Sequence, residues 1–159
     1  MSIPEITVAA LAEIDGRFLF VEERINGQLV LNQPAGHLER GETLLEAVVR
    51  EVREESAWRF KPEQLLGVYL WRQPHTQRLY KRFAFTGTVS DHRAQQPLDQ
   101  GIVGTLWLSA DEIRARLEHL RSPLVLRCVQ DYLTGTRAPL DPIGQLQLDA
   151  ALTIAAEPL

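Results

Sequence analysis

Three glutamates on one predicted helix, Glu51, Glu54 and Glu55, are the side chains of this chain best placed to do chemistry. Thr43 and Glu46 have the S/T-x-x-E spacing of a capping box, which predicts a helix from about Thr43 to about Ser56. With Glu51 as origin and about 100° per residue, Glu54 falls at roughly −60° and Glu55 at roughly +40°. The apolar stripe of Leu44, Leu45, Val48, Val49 and Val52 spans roughly 20° to 160°. Glu55 therefore lies inside the edge of the stripe and Glu51 just beside it. Carboxylates next to a core lose hydration, and two of them about 5 Å apart repel by roughly 3 kcal/mol at an effective dielectric near 20. They must protonate, pair with a cation or bind a metal. Arg50 and Arg53 project at roughly −100° and 200°, away from Glu55. Oxygen-rich sites suit hard divalent cations. A helix with solvated Glu–Arg pairs is the bland alternative, and it does not explain a glutamate within the apolar stripe.

The spacing of the surrounding residues is more specific. Gly36, Glu42, Arg50, Glu51, Val52, Glu54, Glu55 and Trp58 stand in register with G-x5-E-x7-R-E-U-x-E-E-x-G-U, where U is bulky and apolar. This segment resembles the Nudix signature. Ala57 departs from it, since the signature has glycine there, and the expected consequence is a strained or altered exit from the helix. The stretches Asn32 to Glu39 and Arg121 to Val125, with the tail around Tyr132, Gly135, Arg137, Pro139-Leu140 and Ile143-Gly144, resemble the NudJ-type phosphatases within that family.

The elements that must position these residues read as follows. Ile6 to Ile14, Arg17 to Glu23 and Gln28 to Gln33 are strand-like, joined by Asp15-Gly16 and Asn26-Gly27 turns. Pro34 to Gly41 reads as a loop entering the carboxylate helix. Strands are expected over Leu65 to Arg72, Leu79 to Val89 and Ile102 to Leu108, with a long loop from Ser90 to Gly101. Ser109 and Glu112 form a second capping box for a helix to about His119. Ser122 with Pro123 at the first turn opens a last helix that ends before Gly135. Strands interspersed with helices predict an α/β (α+β) sandwich. The resemblance implies the Nudix α/β/α arrangement with a mixed sheet, over one domain spanning 1–159. The tail after about Ile143 has no strong pattern and is expected to pack loosely.

Composition narrows the function classes. The formal charge is −4, which disfavours a nucleic-acid polymer as partner. Cys128 is the lone cysteine, set among apolar residues, with no cation evidently aimed at it; it reads as a buried structural thiol in a reducing cytoplasm. No segment is long and apolar enough to span a membrane, and Met1 to Pro4 lacks a signal-peptide pattern. A monomer or small homo-oligomer is expected.

The resemblance implies a Mg²⁺-dependent hydrolase, with Mn²⁺ as the alternative ion, acting on small-molecule phosphoanhydrides. Glu51, Glu54 and Glu55 are the implied metal ligands together with the Gly36 carbonyl. The base is a helix glutamate or a loop carboxylate, for which Asp99 is the positional candidate; a plain turn residue is its other reading. Glu42 and Arg50 are the implied structural ion pair. Alternation on the strand Leu79 to Phe85 puts Tyr80 and Arg82 on one face, so Arg82 either clamps a phosphate or faces solvent. His37 and His75 are candidate polar contacts. Trp58, Trp71 and Trp107 read as packing. The NudJ-like flanks imply release of orthophosphate from nucleoside tri- or diphosphates, or from thiamine-pathway compounds such as hydroxymethylpyrimidine pyrophosphate or thiamine pyrophosphate. A pyrophosphatase splitting linked nucleoside diphosphates and a non-catalytic Nudix-fold binding module are the alternatives.

Overall fold

The computed structural model describes residues 3–143. Strand β1 (Glu5–Ile14) turns through Asp15-Gly16 into β2 (Arg17–Ile25), and Asn26-Gly27 leads to β3 (Gln28–Asn32). Both turns use left-handed backbone, with φ of 50° and 77° at Asp15 and Gly16 and 49° and 82° at Asn26 and Gly27. That pair of angles suits the right-handed twist of the strands on either side. β4 (Ala35–His37) precedes α1 (Leu44–Ser56), and β5 (Arg59–Arg72), β6 (Leu79–Ser90) and β7 (Ile102–Ser109) follow. α2 (Ala110–Arg114), a 3-10 turn at Leu117–His119 and α3 (Pro123–Leu133) complete the described chain.

The strands form a mixed sheet of seven in which β3, β2, β1, β6 and β5 lie in that order, with β4 also on β1 and β7 also on β2. β1 and β6 run parallel from Glu5 opposite Tyr80 to Ala12 opposite Gly87. β1 and β2 pair only beside their turn, at Glu13 with Phe18 and Ile14 with Arg17, and then diverge. Divergence strips the outer edge of β1 of hydrogen-bond partners, and buried backbone groups must be paired. β4 meets that need, with Ala9 opposite Ala35, Val8 opposite Gly36 and Thr7 opposite His37. Pro34 to Gly41, expected as a plain loop, is thus partly strand. Its sequence carries no strand pattern because the neighbouring edge imposes the conformation.

β1 is buried on both faces, which is why its apolar run does not alternate. Ala9 and Leu11 pack with Val125, Cys128 and Val129 of α3, whereas Val8, Ala10 and Ala12 pack with Ala47, Val48 and Val52 of α1. Helices therefore cover both faces, as the α/β/α reading expects. β5 begins at Arg59 rather than Leu65 and absorbs Pro62 at a register shift on the sheet edge, where a missing N–H is tolerated. The helix expected to reach His119 stops at Arg114 and tightens into the 3-10 turn. The tail beyond Ile143 lies outside the described residues. Among the described residues no helix is long and apolar enough to cross a membrane.

α1 has the expected N-terminus: the Glu46 N–H donates to Thr43 Oγ1 at 3.0 Å and the Thr43 N–H to Glu46 Oε2 at 2.7 Å. It closes on Ala57 in the left-handed conformation at φ 59°, where a Cβ is disfavoured. Ala57→Gly should relieve that strain while losing one buried methyl, for a net gain of about 0.5 kcal/mol and a Tm rise of about 1–2 °C in thermal unfolding. A fall in Tm would show that the methyl contributes more than the backbone costs.

Candidate functional site

One arginine ties the glycine loop to the carboxylate helix. Arg50 Nε donates to Glu42 Oε2 at 2.9 Å and Nη2 to Glu42 Oε1 at 2.7 Å, a two-bond fork. Nη2 also donates to the His37 carbonyl at 3.0 Å. Nη1 reaches back along the helix to Glu51 Oε1 at 2.8 Å and Glu54 Oε2 at 3.1 Å. The guanidinium holds the Glu42 carboxyl below its ordinary pKa, chiefly through their hydrogen bonds. Arg50 does point away from Glu55, as its helical angle predicts. It pairs with Glu54, one turn on and only about 40° away in the projection, and its length lets it reach Glu51 as well.

The three glutamates occupy different surroundings. Glu51 and Glu55 are buried, and Glu54 keeps 43% of its side chain exposed. Burial raises the pKa of Glu51, opposed by Arg50. Burial pushes Glu55 up to about 8, against the Ala35 N–H that donates to its Oε2 at 2.9 Å. The charges of Glu51, Glu23 and Asp99 push in the same direction as burial. A side chain at Gly36 would meet the Glu51 carboxylate, so glycine lets β4 pass this close to the helix without displacing that carboxylate.

A cavity of about 380 Å³ opens over this arrangement. Gly36, His37, Glu51, Glu55, Arg82 and Asp99 all line it. Glu54 is not among the lining residues, and neither is His75, which sits exposed in the turn after β5. Asp99 is brought in by the loop that caps the C-terminus of α1. The helix leaves its last carbonyls without internal partners. The Asp99 N–H bonds the Glu54 carbonyl at 2.9 Å, the Arg93 N–H the Ala57 carbonyl at 3.0 Å, and Gln96 Nε2 the Arg53 carbonyl at 2.6 Å.

Arg82 is the residue whose surroundings differ most from expectation. It is 7% exposed, which removes the solvent-facing alternative. Its Nη1 makes a long 3.4 Å bond to Gln33 Oε1, and its Nε has no partner among the described residues. Desolvation lowers its pKa, while the Cys128 thiol and the Glu55 carboxylate favour its charge. A guanidinium stays protonated even so. Cys128 is buried, as predicted, yet it does have a cation beside it, Arg82; burial dominates and raises the thiol pKa. β6 supplies Arg82 from the register row Thr7–Arg82–Tyr69, which no reading of one strand could assemble.

Trp58 packs as expected, edge-on to Trp107 at 6.0 Å. Trp71 does not belong to the core. It is half-buried, lines the cavity and stacks on Tyr80 with centroids 5.8 Å apart and planes inclined by 23°. Asn32 and Ser122, not among the site residues expected from sequence, line the same cavity, and their buried Oδ1 and Oγ have no hydrogen-bond partner among the described residues. Ser122 starts α3 without a side-chain cap bond.

Among the described residues, no three acidic, histidine or cysteine side chains converge as they stand on a point where an ion would sit. The expected three-carboxylate cluster is drawn apart, Glu51 and Glu54 toward Arg50 and Glu55 toward Ala35. The donor chemistry still fits a hard divalent cation. Two desolvated carboxyls share one cavity beside a glycine backbone, and a cation there would relieve the cost of their ionisation.

Comparison with known proteins gives the family and the fold. The family model of the NUDIX domain matches residues 2–128. Phosphatase NudJ of Escherichia coli K12 is 41% identical over 141 residues, covering 89% of this chain and 91% of that protein. The structure of a NUDIX hydrolase from Nitrosomonas europaea superposes with a TM-score of 0.89 at 46% identity, over 91% of this chain and 98% of the other. A UDP-X diphosphatase shares the fold, with a TM-score of 0.70 at 22% identity over 87% of this chain and 67% of its own. The chain belongs to the NUDIX family as a NudJ-like phosphohydrolase.

Proposed function

We propose that the cavity hydrolyses the terminal phosphoanhydride of nucleoside tri- or diphosphates, or of small organic pyrophosphates, and releases orthophosphate with Mg²⁺ as cofactor. The observation that carries this reading is the pair of buried carboxyls, Glu51 and Glu55, facing one cavity with Arg82. Glu51, Glu54, Glu55 and the Gly36 carbonyl would hold the ion, Glu54 by turning from Arg50. A bound Mg²⁺ supplies neutralisation of the phosphate oxygens and a more acidic water. Arg82 meets a phosphate oxygen with a cation that has no carboxylate bonded to it in the described structure. Asp99, exposed on the cavity wall, accepts the proton of the attacking water, and His37, tied to Glu5 at 2.8 Å, borders the entry. Arg50 and Glu42 hold the loop against the helix and do not touch substrate. The phosphatase name of the NudJ relative supports orthophosphate release, and the lone buried thiol suits a reducing cytoplasm.

Mg²⁺-dependent assays across nucleotides, sugar nucleotides, hydroxymethylpyrimidine pyrophosphate and thiamine pyrophosphate should yield orthophosphate, identified chromatographically. Splitting of linked diphosphates into two phosphorylated halves would replace this reading with a pyrophosphatase. Glu54→Gln and Glu55→Gln should each lower turnover by about 10²-fold or more with the fold intact; unchanged rates in both would remove the metal-ligand assignment. Asp99→Asn should lower kcat by about 10²–10⁴-fold, and a smaller effect would return the base role to a helix glutamate.

Glu55 also makes a stability prediction in metal-free buffer. Its folded pKa, about 8, lies above that of the unfolded chain, so the folded state binds the extra proton between them. Wild-type stability should fall relative to Glu55→Gln as pH rises from about 4.5 to about 8, reaching a deficit on the order of 3 kcal/mol near neutrality. Equal Tm values for the two proteins at pH 7.5 in chelator would show that the carboxyl is not desolvated.

A further inference from the structure

The three buried side-chain atoms without a hydrogen-bond partner among the described residues are Asn32 Oδ1, Arg82 Nε and Ser122 Oγ, and all three residues line the one cavity. An unmet buried polar atom costs about 1–3 kcal/mol, so three around one cavity mark groups waiting for a ligand. The same cavity is bordered by the stacked pair Trp71 and Tyr80.

Strand register sets the order of these features. Glu5, Tyr80 and Trp71 share one row across β1, β6 and β5. His37, Thr7, Arg82 and Tyr69 form the next row on the same face, and Ala35, Ala9 and Ala84 the one after. Rows on one face are about 7 Å apart, two residues of strand rise. The Ala35 row carries Glu55 through its N–H bond. A molecule with its phosphates between Glu55 and Arg82 therefore places its next group, about 7 Å further on, at the aromatic row.

We infer that Trp71 and Tyr80 form the wall on which a flat heteroaromatic ring of the substrate stacks, with Asn32 Oδ1 accepting an N–H from the ring edge and Ser122 Oγ bonding a polar ring substituent. This rests on the phosphoanhydride reading of the site and deepens it, by naming the side chains that hold the heterocycle of a nucleotide or thiamine-type pyrophosphate. An acyclic or sugar-only pyrophosphate offers no π-face to the aromatic row and no ring N–H to Asn32.

Binding in chelator, without turnover, tests this by calorimetry. The probes are cytidine, uridine and adenosine diphosphates and thiamine pyrophosphate, set against inorganic pyrophosphate as the ring-free control. At least one ring-bearing probe should bind more tightly than pyrophosphate. Trp71→Ala should weaken that probe by about five-fold or more, the range of one lost base–aromatic stack, and leave pyrophosphate within about two-fold. Trp71→Phe should restore most of the loss, and Asn32→Ala should weaken only probes with ring-edge N–H groups. Trp71 is half-buried at the cavity mouth, and thermal unfolding of Trp71→Ala should show a native-like Tm. Equal binding of ring-bearing probes and pyrophosphate by the wild type, or an equal loss of both in Trp71→Ala, would overturn the stacking wall. Loss of Mg²⁺-dependent hydrolysis alone, with these binding differences intact, would instead count against the hydrolase reading.

Discussion

The arrangement depends on how a single guanidinium is shared. Arg50 bonds Glu42 twice, the His37 carbonyl once, and Glu51 and Glu54 once each, so one cation spans the loop before α1 and the helix itself. Without it, Glu42, Glu51 and Glu54 would crowd three negative charges onto a partly desolvated patch. With it, the loop is held where Gly36 meets Glu51. The same bonds compete with any ion for two of the glutamates. A metal held as proposed would therefore exchange partners with the arginine, because Glu51 and Glu54 are already bonded to it.

Glu55 lies outside that exchange. Its compensation among the described residues is one backbone N–H, and burial keeps its pKa near 8. A carboxyl in that state detracts from stability at neutral pH unless a cation joins it. Arg82 is its counterpart, a buried cation with an unmet Nε. The two charges favour each other across the cavity without bonding. Unrelieved acid and base in one cavity are what a charged ligand with a metal would neutralise, and strain of this kind gathers at sites kept for binding.

The sheet makes this possible by failing to close. β1 and β2 pair for two residues and then separate, and the cavity draws its lining from both sides of that split, Thr7 of β1 with Arg82 of β6 on one and Glu23 of β2 with Asn32 of β3 on the other. β4 fills the exposed edge of β1 and, in doing so, presents Gly36 to Glu51. The loop after β6 caps the open carbonyls of α1 and, in doing so, delivers Asp99. Backbone satisfaction and site assembly are the same contacts.

Helix α1, its capping box, the two glycine turns and the apolar strands were legible because their signals are local: side-chain period, cap spacing and turn residues act within a few positions. The glutamates' angular placement and their match to a known signature made the glutamate-bearing helix, and the family, readable from the chain alone. Strand β4 was not legible, because it forms only in answer to an edge that β2 leaves open. Nor were the burial of Arg82 beside Cys128, the placing of Trp71 in the cavity and not the core, and the unmet atoms of Asn32 and Ser122. Each depends on which residues from distant strands share a register row, and on how far a long side chain reaches. The chain by itself determined the chemistry available, since residue type and local spacing are written in it; the tertiary structure decided which charges are desolvated and which partners they share, because burial and long-range pairing exist only once the sheet has formed.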